Sequence, residues 1–142
     1  MKLYKYLILI SLSAFVILNS CKDAGVITEL EGVNVNVTNS PAISNTQNSF
    51  SIAVKAELFN AALEYPINFD KQNFEMTLSI AELTSGNVSI QVFNDSKQML
   101  YKGDFNSKIS VAQTITLEEK PTKLKFVFNS LSASFSCLLT SK

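Results

Sequence analysis

The chain has 142 residues, 46 % of them hydrophobic, and its 12 cationic side chains, all lysine, balance 12 acidic ones to a formal net charge of zero. Without a charge excess or any arginine there is no electrostatic claim on nucleic acid and no planar fork for phosphate or carboxylate. Histidine is absent too, so the commonest general base and metal ligand is missing, and the sequence points to no catalytic residue, metal or cofactor and to a protein that is not an enzyme.

Lys2 and Lys5 open the chain, and from Tyr6 to Leu18 it is Leu, Ile, Ala, Phe and Val broken only by Ser11 and Ser13. This is the basic lead and apolar body of an export signal. Polarity returns at Asn19, Cys21, Lys22 and Asp23, before the roughly 20 apolar residues that a membrane-crossing helix requires. The closing residues Leu18-Asn19-Ser20-Cys21 resemble the lipobox of bacterial lipoproteins, with Leu, a small residue and the obligatory Cys in place and Asn19 larger than usual. The resemblance implies cleavage after Ser20, lipid on the Cys21 sulfur and acylation of the new amino terminus. Two or three acyl chains hold a protein to a membrane where one does so only marginally. The alternative is an ordinary cleaved signal with Cys21 incidental.

On that reading residues 1–20 are a signal peptide, 21–32 a lipidated, acidic tether and 33–142 one domain. The mature chain carries ten lysines against twelve acids, a net charge of −2. It belongs at a bacterial cell envelope, at the outer membrane, with periplasmic and surface faces both open. Lipidation of Cys21 leaves Cys137 without an intramolecular partner.

Val33-Asn34-Val35-Asn36-Val37 alternates strictly and predicts a half-buried strand. Residues 38–48, rich in Asn, Ser and Thr around Pro41, read as a loop. Phe50, Ile52, Val54, Ala56 and Leu58 predict the next strand. Residues 57–65 fit either a short strand or a helical turn, ended by Pro66. After a loop over 67–73, Phe74, Met76, Leu78 and Ile80 share one face. Ser85-Gly86-Asn87 reads as a turn into Val88, Ile90 and Val92. Asn94 to Lys97 is a second turn, and Met99-Leu100-Tyr101 a strand that Gly103-Asp104 breaks.

Ile109, Val111, Ile115 and Leu117 keep one parity, with Gln113 an intruder that suggests a bulge or an edge. Leu124, Phe126 and Phe128 form a strand, and Leu131, Ala133, Phe135, Cys137 and Leu139 the last. Cys137 shares the apolar parity and reads as a buried small hydrophobe rather than a reactive thiol. About seven or eight alternating strands predict an all-β chain, a single antiparallel β-sandwich of immunoglobulin-like or jelly-roll type.

Nothing along the chain singles out ligand-binding residues. Glu118-Glu119 reads as a solvated turn, and Asp95 and Asp104 as turn residues rather than calcium ligands. Asn36-Val37-Thr38, Asn87-Val88-Ser89 and Asn94-Asp95-Ser96 fit the N-glycosylation pattern by chance in an Asn- and Ser-rich chain. Tyr65, Phe69 and Tyr101 fall near strand ends, where packing at the rim is the commoner role and stacking on sugar the rarer one. The expected function is that of an anchored interaction module for an envelope protein or a glycan; a structural or accessory subunit of an envelope assembly is the alternative.

Overall fold

The structure is a computed structural model that describes residues 37–142. The signal segment, Cys21, the tether, Asn36 and the expected strand over 33–37 lie outside the described residues, save Val37, which is in no strand. Six antiparallel strands form: β1 (Ala42–Asn45), β2 (Ser49–Pro66), β3 (Phe74–Phe93), β4 (Met99–Phe105), β5 (Ile109–Ile115) and β6 (Lys123–Ser141). They make one hydrogen-bonded sheet in the order β1-β2-β6-β3-β4, with β5 also on β3.

That sheet is folded into a sandwich, as the distances between rings show. Phe50 and Tyr65 lie on the same strand, where a straight path would set them about 50 Å apart, yet their ring centroids are 5.2 Å apart. Phe128 and Phe135 of β6 meet edge to face at 5.3 Å. The three long strands therefore turn back over themselves, and each serves both layers.

The turning points lie side by side. Pairing between β2 and β6 slips between Ala56 and Ala61, and pairing between β3 and β6 slips between Ala81 and Asn87. Leu58, Glu82, Gly86 and Ser130 there adopt φ of 50°, 55°, 81° and 48°. Such bulges bend a strand and release backbone groups from the ladder. Short polar side chains take them up: the Leu58 N–H donates to Ser132 Oγ at 2.9 Å, the Ser130 N–H to Asn60 Oδ1 at 2.8 Å, and Ser85 Oγ to the Ser130 carbonyl at 3.2 Å. The corners are thus rich in Asn and Ser for a physical reason.

Cut at these corners, the chain after β1 yields eight segments in order: 49–56, 59–66, 74–81, 87–93, β4, β5, 123–128 and 131–141. The first layer sets segments one, eight, three and six side by side, and the second sets two, seven, four and five side by side. This is the jelly-roll arrangement. It decides between the two sandwich types the sequence leaves open, and β1 adds a fifth strand to the first layer.

The strand count and several boundaries differ from the sequence expectation for the same reason. Ser85-Gly86-Asn87 is a corner inside β3, not a hairpin turn, and residues 57–65 are strand rather than helix. Leu58, placed on the apolar face by alternation, is 68 % exposed at its corner. Gly103 continues β4 because the Tyr101 and Phe105 side chains close over it, filling the space a Cβ would need. The expected loop over 38–48 holds β1, whose pairing with β2 outweighs its polar composition. Gln113 does sit on an edge: β5 pairs with β3 alone among the described residues.

The core is the inward half of the alternation. Phe50, Ile52, Val54, Met76, Leu78, Ile90, Phe126, Phe135 and Leu139 are among its buried members. Ile67 and Phe69 of the 67–73 loop plug one end, with Phe69 packed on Phe74 at 6.1 Å.

Candidate functional site

Because the core takes the inward positions of the strands, the sheet faces offer only their outward ones for binding, and the two layers differ there. On the second layer, register aligns Glu64, Lys125, Gln91 and Lys102 in one cross-strand row and Ala62, Val127, Ser89 and Asp104 in the next. Glu64 accepts from Lys125 at 3.0 Å and from Lys123 at 3.2 Å, and these two ammonium groups, Lys125 first, hold its carboxyl below the usual carboxylate range. Lys102 reaches Asp104 at 2.8 Å and, with the Ser89 hydroxyl, lowers that carboxyl too. Lys123 also lies 5.0 Å above the Phe93 ring. This is an ordinary solvated face of mixed charge, its ion pairs worth little to stability.

The first layer presents something else. Its two middle outward rows are Ala42, Ala53, Ser136, Ser79 and Ser110, then Ser44, Ser51, Leu138, Thr77 and Ala112. No charge falls in either row. Charge appears only beyond them: past one end Lys55, with Glu82 accepting from the neighbouring Ser134 hydroxyl at 3.0 Å, and past the other Glu75, which is paired with Lys142. Leu138 is the one large side chain in the two rows and is 43 % exposed. Beside it runs a shallow depression of about 350 Å³ lined by Ser51, Ala53, Thr77, Ser136 and residues of β1.

This face escaped the sequence reading, which followed the apolar half of each alternation. The signal is in the other half: Ser51, Ala53, Thr77, Ser79, Ser136 and Leu138 against Glu64, Gln91, Lys123 and Lys125. Only register gathers them into two surfaces.

Residues singled out from sequence are mostly structural. Cys137 is buried, and burial pushes its thiol up to about 12. Tyr65 packs on Phe50 and, at 6.5 Å, on Phe126. Phe69 is fully buried, while Tyr101 is half-buried and meets Gln113 at 3.5 Å across the open edge between β4 and β5. Desolvation raises both tyrosine hydroxyls above their ordinary range. Asp95 sits in the 94–97 turn, and among the described residues no three His, Cys, Asp or Glu side chains converge as metal ligands would.

Glu119 is more than a solvated turn residue. Its Oε2 accepts from Asn94 Nδ2 at 2.6 Å, while Asn94 Oδ1 accepts the Gln98 N–H at 2.8 Å. Asn94 is 5 % exposed with its amide engaged, so it has no room for a glycan. Asn94→Ala is expected to lower stability by about 1–3 kcal/mol, since it leaves the Gln98 amide and the Glu119 carboxylate without their partner. A urea midpoint unchanged from the parent would contradict this.

The Cys137 shift carries a sign. In the folded chain burial holds the thiol protonated to about pH 12, whereas the unfolded thiol ionises near its ordinary value of 9.0. Above that pH the unfolded state holds fewer protons, so stability falls as pH rises from about 9 toward 12. Thermal melts over this range are expected to show the fall, and Cys137→Ala to reduce it; tyrosine ionisation adds a part that the variant keeps.

No family model matches the chain, and no curated protein matches it. Among solved structures, the sandwich is similar to a pilus protein of Bacillus endospore appendages at 13 % identity and a TM-score of 0.43, covering 72 % of this chain and 92 % of the other. It is also similar to a family 4 carbohydrate-binding module, at 7 % identity and a TM-score of 0.38 over 72 % of this chain and 78 % of that one. A family 29 carbohydrate-binding module follows, at 12 % and 0.36 over 71 % and 68 %. At these values nothing of what those proteins do passes to this chain.

Proposed function

We propose that this chain is a non-enzymatic binding module, tethered to a bacterial envelope membrane by lipid on Cys21, that docks a protein through the outer face of its first layer. The supporting observation is the contrast between two faces built largely from the same three strands. The second layer carries Glu64, Lys102, Asp104, Lys123 and Lys125 outward; the middle rows of the first carry no charge at all. Charged side chains keep an exposed sheet from sticking to other β-surfaces, and the core of a protein interface is where charge is depleted. A face relieved of charge over five strands suits contact better than solvation.

A glycan is served less well. Sugar stacking uses an exposed ring, but Phe93 is capped by Lys123 and Phe69 is buried in the core. The tether rests on Leu18-Asn19-Ser20-Cys21 behind its lysine-led apolar run.

The test is cross-linking in cells that express the full chain, comparing Leu138→Glu on the first face with Lys102→Glu on the second. Docking predicts a cross-linked partner that Leu138→Glu loses and Lys102→Glu keeps. Equal behaviour of the two would overturn the assignment of the face. Mass spectrometry of the membrane-extracted protein tests the tether, and an unmodified Cys21 would sink it.

A further inference from the structure

We infer that the segment just ahead of β1, Val35-Asn36-Val37, docks as an edge strand of the second layer, beside residues 59–66 and with Val35 turned inward over Ala61. The inference is independent of which face docks a partner. Its first support is a mismatch between the layers. β2, β6 and β3 each serve both, so 49–56 lies over 59–66, and beyond β3 the first layer ends in β5 and the second in β4. Beyond β2 the first layer continues into β1, while among the described residues 59–66 pairs with β6 alone. The place opposite β1 is therefore a strand edge, of the kind that proteins pair, charge or cover.

The second support is what that edge leaves in water. Along the half of β2 flanked by β1 and the residues just before it, the inward side chains Phe50, Ile52, Val54 and Ala56 are at most 5 % exposed. Along the other half the inward Phe59, Ala61, Leu63 and Tyr65 are only half-buried. Across the same seam Ile43 of β1 shares the inward side with its partner Ile52, yet it is 43 % exposed. At the opposite seam, between β4 and β5, Tyr101 and Gln113 reach across and meet. The seam between β1 and 59–66 is thus apolar and lacks a side chain of its own to close it.

The third support selects the occupant. Thr38 and Asn39 form a turn, with Asn39 at φ of 62°, a conformation that Asn accepts more readily than most residues. The Asn39 N–H donates to the Lys55 carbonyl at 2.8 Å, and its side chain grips both backbone groups of Glu57, donating to the carbonyl and accepting from the N–H at 2.9 Å each. The turn is pinned where β2 bends from one layer to the other. β1 and residues 59–66 both run from that corner to the far end, where Asn45 Nδ2 donates to the Pro66 carbonyl at 2.8 Å. A chain that reverses at 38–39 lies antiparallel to both, the arrangement that a short turn can join. Val37 is 55 % exposed where the chain enters, and Val35, about 6.6 Å further along, comes level with Ala61. Asn36 then faces water, and the segment brings no charge to the apolar seam.

The experiment uses the full chain in its own membranes, with the parent, whose only cysteines are Cys21 and buried Cys137, as background. Facing residues of antiparallel strands have Cα atoms about 4.5–5.5 Å apart, within the span of a disulfide. Val35→Cys with Ala61→Cys should therefore close a disulfide within one chain on mild oxidation by oxidised glutathione, at least five-fold faster than Val35→Cys with Gln113→Cys at the opposite seam. Equal rates, or no disulfide with Ala61→Cys, would overturn the placement. A disulfide joining two chains would overturn it as well and give the seam to a second copy. Maleimide labelling of Ala61→Cys alone is a readout free of disulfide geometry. Adding Val35→Asp should speed that labelling several-fold while buried Cys137 stays unlabelled, and an unchanged rate would overturn the inference.

Discussion

Gly86→Ala is expected to destabilise the domain by about 4 kcal/mol, from a single added methyl group. Gly86 sits at the β3 corner with φ of 81°, and a Cβ there would fall 2.3 Å from the Ser130 carbonyl oxygen and 2.4 Å from that of Asn129. Both atoms belong to the backbone of β6 at its own corner, so no side-chain rotation can relieve the overlap. The left-handed φ adds a cost that any L side chain meets and glycine does not. Either the corner of β3 lifts off β6, breaking the ladder on both sides, or the overlap is borne as strain. Ser85→Ala, one residue away, loses only the hydrogen bond to the Ser130 carbonyl, at about 1 kcal/mol. Urea unfolding of the two variants beside the parent tests the contrast. A Gly86→Ala loss no larger than that of Ser85→Ala would mean that the corners do not hold the layers in place.

Phe126→Ala comes next, at about 3–5 kcal/mol. The ring is fully buried and stacks on Phe50 at 5.7 Å and on Phe128 at 6.4 Å, with Phe135 edge-on at 6.2 Å. Phe50 and Phe135 belong to the first layer, Phe126 and Phe128 to the second, so this cluster is what joins the folded halves of the sheet. Truncation removes the transfer energy of the ring, leaves a cavity between layers and breaks four aromatic contacts, that with Tyr65 included. Phe126→Leu keeps most of the volume and should cost less than half as much. Equal losses for the two variants would show that side-chain volume at this position matters little and that the layers are held elsewhere.

The sequence legibly marks the parts that depend on local chemistry. Phe50, Ile52 and Val54, like Phe74, Met76 and Leu78, face the core because alternating side chains leave opposite sides of a strand and one side must leave water. Cys137 follows from parity in the same way. The Gln113 intrusion marks an edge because an edge strand can bring a polar side chain out to the rim.

Elsewhere local reading fails for a specific reason. Between Ala56 and Phe59 on β2, and between Phe128 and Leu131 on β6, the buried positions change from even to odd. A change of parity looks like the end of one strand and the start of another. In the molecule it is a bulge inside a continuing one, with released backbone groups caught by Asn60 and Ser132 side chains from neighbouring strands. Those partners lie about 70 residues away along the chain, beyond the reach of any window of local sequence.

By itself, then, the sequence determined an all-β chain, its inward-facing residues and a lysine-led, lipobox-like beginning, since each depends on a residue and its near neighbours. Tertiary structure alone decided that three strands fold over to serve both layers, that the arrangement is a jelly roll, and that uncharged residues of five separate strands meet on one outer face. Those outcomes depend on register, and register is set by which distant segments pair.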